Sequence, residues 1–212
     1  MAGTALQEKG MDGLCIENLK FPGMGPITLR VGPGACVGLS GPSGSGKTRL
    51  LRAVADMMPH TGEIFLDGAE ANTMPAHQWR RCVGFLPAES AWWHERVGDH
   101  FPSPDADGLR QLGFSPDVFS WEVSRLSSGE RQRLALLRLL AGAPKALLLD
   151  EPTANLDSSN TARVEAMIAA YRRRNDASVI WVGHDPAQLR RVAAIRFILH
   201  GGNLVRQASD GG

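Results

Sequence analysis

Cysteine is scarce in this 212-residue chain: three residues, Cys15, Cys36 and Cys82, with no C-x-x-C pair. An odd number at such spacing excludes a disulfide framework or a cysteine zinc site. The three are expected as buried thiols of a reducing compartment. Net charge is also slight, because 23 Lys and Arg nearly balance 22 Asp and Glu. That gives no electrostatic case for nucleic acid or a charged membrane surface, and no nucleic-acid partner is expected. The short runs Arg172-Arg173-Arg174 and Arg190-Arg191 fall at helix ends, where they complement the helix dipole in solvent. No apolar run approaches the ~20 residues that span a bilayer. The best candidate, Leu134 to Ala143, is broken by Arg138, so any action at a membrane runs through a partner chain. Met1 to Gly10 is small and polar, unlike a secretory signal, and is expected as a loose tail. Repeats and low-complexity segments are lacking. What remains is an ordinary composition, 43% hydrophobic and 21% charged, enough for a full core in one domain or one domain with a lobe.

Against this plain background one stretch stands out: Gly41-Pro42-Ser43-Gly44-Ser45-Gly46-Lys47-Thr48. It matches the phosphate-loop pattern G-x-x-x-x-G-K-[ST]. The apolar run Cys36-Val37-Gly38-Leu39 leads into it as a buried strand, and a helix pattern leads out from Arg49. Glycines let successive N–H groups turn inward toward phosphate oxygens, and the following helix adds its positive end. Lys47 is placed to reach the β- and γ-phosphates, and the Thr48 hydroxyl to ligate Mg²⁺. Arg49, next along, is counted with the nucleotide-binding residues.

Taken in order, Leu14 to Leu19 and Ile27 to Val31 read as strands joined by a Pro/Gly turn, with Phe21 ending the first. The first helix is expected to run to about Met58 and stop at Pro59. Glu63 to Gly68 reads as a strand and turn, Pro75 to Arg81 as a helical turn or two, and Cys82 to Leu86 as a buried strand. From Ala88 to about Glu122 the texture changes to Trp, Pro and short polar runs, expected as a small, mostly helical inserted lobe. A strongly periodic helix covers Arg131 to Ala141 and ends at Gly142 and Pro144. The continuous apolar run Ala146 to Leu149 suits the middle of a parallel sheet. A helix from Ser158 to Arg174, a strand from Ser178 to Gly183, a helix from Pro186 to Val192 and two last strands follow. Strands alternating with helices argue for a parallel α/β core.

Chemical residues fall at the carboxyl ends of these strands, where open α/β sheets bind ligands. Asp150 is placed to help hold Mg²⁺. Glu151 is placed to orient or deprotonate a water aimed at the γ-phosphate, although two acids before a helix also suit a capping role. His184 follows an apolar strand and is placed to hydrogen-bond the γ-phosphate.

The ordered set resembles the ATP-binding cassette (ABC) ATPases. The likeness comprises the phosphate loop, Leu126-Ser127-Ser128-Gly129-Glu130 as the signature, and Leu147 to Thr153 as the Walker B segment. Ala154-Asn155-Leu156-Asp157 is similar to the D-loop and His184-Asp185 to the switch histidine. It spans nearly the whole chain, Leu14 to Val205. The resemblance implies a P-loop NTPase core of mostly parallel sheet, an N-terminal antiparallel β portion and a helical lobe. Residues about 14–87 and 144–206 form the core, and about 88–143 the lobe that carries the signature. It further implies two cassettes sandwiching two ATP molecules head to tail, with Ser127, Ser128, Gly129 and Glu130 of one facing the phosphate loop of the other, and Asp157 at that junction. Catalysis then rests on Glu151, His184 and Lys47. Phe21 falls near the aromatic that stacks on adenine, and an ordinary core role fits it equally.

The chain also departs from the family pattern: Ser128 stands for the signature's second usual glycine and Glu130 for its glutamine, both compatible with its role. Where the family carries a glutamine after Leu86-Pro87, this chain has Ala88, then Glu89. Glu89 is expected to substitute as a Mg²⁺-facing acceptor. Trp92-Trp93 lies where the family meets its membrane subunit, and packing of the lobe would explain the pair as well. The expectation is an ATP-hydrolysing subunit at the inner face of the cell membrane, working with membrane-spanning subunits and a second cassette, identical or not. The alternative is a soluble ABC ATPase acting on ribosomes or DNA. Ser158 to Asn160 and Ile180 to Asp185 look somewhat like cassettes linked to iron export.

Overall fold

The computed structural model describes residues 12–207 apart from Pro104; the expected tail, Met1 to Gly10, lies outside the described residues. In chain order the elements are β1 (Leu14–Phe21), β2 (Met24–Val31), β3 (Cys36–Ser40), α1 (Lys47–Val54), β4 (Thr61–Leu66), β5 (Ala69–Glu70), α2 (Ala76–Cys82) and β6 (Val83–Leu86). They continue with α3 (Ala106–Gln111), α4 (Ser128–Ala141), β7 (Ala146–Asp150), α5 (Ser158–Asn175), β8 (Ser178–Val182), α6 (Pro186–Val192), β9 (Ile195–His200) and β10 (Asn203–Arg206). One sheet, in the order β2-β1-β4-β5, is antiparallel; the other runs β10-β9-β3-β8-β7-β6 and is parallel apart from β10.

Strand parity divides the core. On β7, Ala146 and Leu148 join the apolar cluster shared with α1, α2 and the antiparallel sheet, together with Val37, Leu39, Ile180 and Val182. Their neighbours Leu147 and Leu149 join the cluster on the opposite face with Val179, Trp181 and residues of α4, α5 and α6. Both faces of the sheet are covered, which is why these strands are continuously apolar. Parity has a chemical consequence: Asp150 shares the side of Ala146 and Leu148, toward α1.

The boundaries differ from expectation where local conformation intervenes. Helix α1 ends at Val54, not near Met58. Asp56 takes a left-handed φ of 54° and the Met57 N–H turns back to the Arg52 carbonyl at 2.8 Å, which closes the helix before Pro59 is reached. Helix α4 starts three residues earlier than expected, because Ser127 and Glu130 form a reciprocal capping box. Strand β2 starts at Met24, where it pairs with Phe21. Cys82 closes α2 instead of opening β6. The stretch from Ala88 to Glu122 holds one six-residue helix, α3, and two short 3-10 turns. Its ends are tied by Val97 N–H to Trp121 O at 3.0 Å and Val123 N–H to Glu95 O at 2.8 Å. Cys15 and Cys36 are buried and Cys82 half-buried, all as free thiols; burial pushes the Cys36 thiol up to about 12.

A single hydroxyl joins the two sheets. Ser178 Oγ accepts from Leu14 N at 3.2 Å and lies 2.9 Å from Val31 O and 3.1 Å from Gly32 O, available to donate to either. Removing it orphans buried backbone groups, which costs ~1–3 kcal/mol. Ser178→Ala is therefore expected to shift the denaturant midpoint down by that amount without changing the slope, as read by equilibrium unfolding.

Candidate nucleotide-binding site

The phosphate loop sits between β3 and α1, and two of its glycines are required by geometry. A Cβ on Gly41 would lie 2.5 Å from Leu199 O and 3.0 Å from Ser45 Oγ, with φ at 150°. Gly46 caps α1 at φ 99°, and a Cβ there would lie 2.8 Å from Met24 Cε. Any side chain would fill the cradle or its support. Lys47 is buried and its ammonium donates to Gly41 O at 2.9 Å and Pro42 O at 3.1 Å, so it lies folded over the loop. Ser45 Oγ is buried with no hydrogen-bond partner, a polar atom the loop itself does not satisfy. Pro42, Ser43 and Gly44 form the exposed rim.

The other wall is Asp150, 4% exposed. Thr48 Oγ1 donates to Asp150 Oδ2 at 2.7 Å. Burial pushes the Asp150 carboxyl above the usual range; the Thr48 bond opposes this, Glu151 adds to it, and Lys47 and Arg52 oppose it. These two oxygens suit Mg²⁺, a hard cation commonly held by one or two carboxylates plus substrate phosphates. Among the described residues no group of three His, Cys, Asp or Glu could hold a metal alone.

Glu151 follows at a left-handed φ of 51°. The turn swings its carboxylate to His184, whose Nε2 lies 2.8 Å from Glu151 Oε1. The Glu151 N–H continues the ladder to Val182 O at 3.1 Å. Both side chains border a cleft of about 250 Å³ with Thr153, Gly183 and Gln188. The sequence order thus becomes one contiguous wall: Ser45, Lys47, Thr48, Asp150, Glu151, His184.

Other expected residues lie elsewhere. Phe21 is 6% exposed and belongs to the core. Arg49 covers it, with the guanidinium 5.2 Å from the ring centroid and Nη2 donating to Pro22 O at 2.5 Å. Of the two roles open to Phe21, adenine stacking and core packing, its burial on β1 accords with the second. Glu89 lines a groove of about 760 Å³ with Arg52, Arg80, Trp93 and Arg138, and Arg52 also acts on the Asp150 carboxyl. There Trp93 is 65% exposed, and Arg138 stacks on Trp92 and Trp93 at 4.5 and 4.7 Å.

At the signature, Ser127 Oγ donates to Glu130 Oε2 at 2.8 Å and accepts from Glu130 N at 3.3 Å, while Ser128 is exposed. Hydrogen bonds from the Ser127 backbone and hydroxyl hold Glu130 below the usual carboxylate range. Gly129 packs on the D-loop: a Cβ there would meet Leu156 at 2.9 Å. Asp157 caps α5 by accepting from Asn160 N at 2.8 Å. Sequence reasoning missed Thr153, Glu165 and Gln188, which bond to one another beside Glu151 and His184. No local pattern signals them, because the three come from separate segments.

The profile of the ABC transporter family matches residues 24–154. The chain is 34% identical over 192 residues to Protein STAR1 of Oryza sativa subsp. japonica, covering 84% of this chain and 56% of that one. It is 32% identical over 191 residues to the probable iron export ATP-binding protein FetA of Escherichia coli, covering 84% and 81%. Phosphate import ATP-binding protein PstB of Aeropyrum pernix is 30% identical over 205 residues, covering 84% and 81%. In fold the chain is similar to a dimeric ATP-binding cassette in a post-hydrolysis state with ADP and Pi, with a TM-score of 0.79 at 20% identity over 94% and 99% of the chains.

Asp150 provides a test on stability. A carboxyl whose pKa is higher in the fold than unfolded binds its proton more tightly in the fold, so its ionised form destabilises at neutral pH. Asp150→Asn is expected to raise Tm at pH 7 while abolishing turnover. The gain should fade as the pH falls through the raised folded pKa and toward the unfolded value, about 3.9. Melting curves across pH measure it.

Proposed function

The chain belongs to the ABC transporter family of ATP-binding proteins, and from that membership we propose that it is the ATP-hydrolysing subunit of a membrane transporter, with Glu151 as its general base. The observation that carries this is the continuous wall from the orphaned Ser45 hydroxyl through the Thr48–Asp150 pair to the 2.8 Å Glu151–His184 contact. Phosphates lie in the loop, with Ser45 and the N–H groups at the start of α1 donating to them and Lys47 released from Gly41 and Pro42 to pair with their charge. Thr48 and Asp150 would hold Mg²⁺, which would supply charge neutralisation on the phosphates. Glu151 accepts a proton from a water as its oxygen bonds to the γ-phosphorus. The bond from that phosphorus to the β–γ bridging oxygen breaks, and ADP carries the electron pair away. His184 donates to the γ-phosphate and steadies Glu151.

A second cassette completes the site. Its Ser127 and Gly129, at the N-terminal end of α4, face the γ-phosphate, and the Ser127 hydroxyl exchanges its bond to Glu130 for one to phosphate. Adenine stacks on the Arg49 guanidinium laid over Phe21, because the ring itself is covered. In this reading the groove with Trp93 and Arg138 receives the membrane-spanning subunit, and the chain works at the inner face of the cell membrane. No helix among the described residues is long and apolar enough to cross one itself.

Glu151→Gln is expected to lower kcat at least ~100-fold while ATP binding persists. Tagged and mixed with Mg-ATP and detergent-solubilised membranes, it should retain one multi-spanning protein, identified by mass spectrometry and lost when Lys47→Ala is added. Recovery of ribosomal or DNA-repair proteins instead would overturn the transporter reading.

A further inference from the structure

A buried polar bridge links the segment that carries Glu151 to the one that carries His184. Gln188, on α6 four residues after His184, is 7% exposed. Its amide nitrogen donates to Thr153 Oγ1 at 2.9 Å and to Glu165 Oε1 at 2.8 Å. Glu165, on α5, also accepts from Arg191 Nε at 2.7 Å and Arg191 Nη2 at 2.7 Å. Burial pushes the Glu165 carboxyl up, but the bonds from Arg191 and Gln188 prevail and hold it below the usual range. An ionised carboxylate only accepts, so the amide nitrogen must face it, and glutamine can donate to both partners at once.

The catalytic pair needs such a support. Glu151 and His184 side chains are 33% and 50% exposed, and an ion pair that open to solvent contributes little to its own geometry. Each must be placed by its backbone. Glu151 is tied on one side by its N–H to Val182 O. Two residues on, Thr153 provides the second tie, to α6, the helix that begins directly after the His184 loop.

We infer that Gln188 is a positioning residue for hydrolysis: by joining Thr153 to Glu165 it fixes the Glu151 turn against the His184 loop. The inference rests on the ATPase reading above. Gln188 acts through Thr153 and Glu165, so its effect falls on turnover and not on binding. The ionisable groups around the bridge are Glu165 from α5, Arg191 and Asp185 from α6 and its cap, and Glu151 and His184 on the cleft.

Gln188→Glu separates this role from packing, since it keeps the shape and sets a second carboxylate against Glu165. Two adjacent carboxylates cannot both ionise cheaply, and at lower pH a shared proton restores the donor. In the full-length chain, kcat should fall about tenfold at high pH, a loss of the size expected for one broken buried hydrogen bond. It should recover as the pH is lowered to about 6, with KM for ATP unchanged. The exchange Glu165→Gln with Gln188→Glu keeps one carboxylate and one amide facing each other and should restore turnover at high pH. A Gln188→Glu rate equal to wild type at both pH values overturns the inference. So does an equal loss at both that the exchange fails to rescue, or a loss confined to KM. A wild-type chain that hydrolyses no ATP removes the ATPase reading and this inference together, whereas a normal wild-type rate with an unaffected variant removes the inference alone.

Discussion

The hydrogen bond from Thr48 to Asp150, 2.7 Å long, closes a span of 102 residues, and the site depends on the strand parity that allows it. Asp150 faces α1 because Ala146 and Leu148 face the same apolar cluster. A one-residue slip in β7 would turn the carboxylate to the helical side and replace it with Leu149. The register that buries β7 is therefore the register that builds the site. The cost is a carboxyl forced above its usual range by burial.

What could be read from the chain was local. The phosphate loop, the apolar run before Asp150 and the position of His184 each announce themselves within a few residues, and strand–loop–helix chemistry allows few alternatives there. Non-local features were hidden. The Asp56 turn that ends α1 early depends on a left-handed residue that the helix pattern does not mark. Between Ala88 and Glu122 the chain has no sustained period; it is held by backbone ties and aromatic packing, so its texture announced a change without its form. Position alone leaves Phe21 open between adenine stacking and core packing; its burial and the Arg49 guanidinium over it are visible only in the fold. The groove that Glu89 lines is likewise invisible in the spacing. The Thr153–Gln188–Glu165 bridge joins three segments and left no trace in spacing.

The arrangement within one chain is consistent with the proposed second cassette. The Ser127 hydroxyl is bonded to Glu130, Gly129 packs on Leu156, and Asp157 caps its own helix. These bonds are local to the signature and D-loop, which makes both preformed surfaces of this copy. In the proposed reading, their donors serve a second copy that brings its phosphates to them, and closure of the two cassettes is coupled to the occupant of the phosphate loop.

The proposed site is composite, shared between two chains. The direct measurement is ATP hydrolysis by a mixture of Lys47→Ala and Gly129→Asp chains, each inactive alone. Their heterodimer retains one site with an intact Lys47 from one copy and an intact signature from the other. The account predicts that mixing restores turnover in proportion to the heterodimer formed. No recovery despite demonstrated association, or full activity of the Gly129→Asp chain by itself, would contradict it.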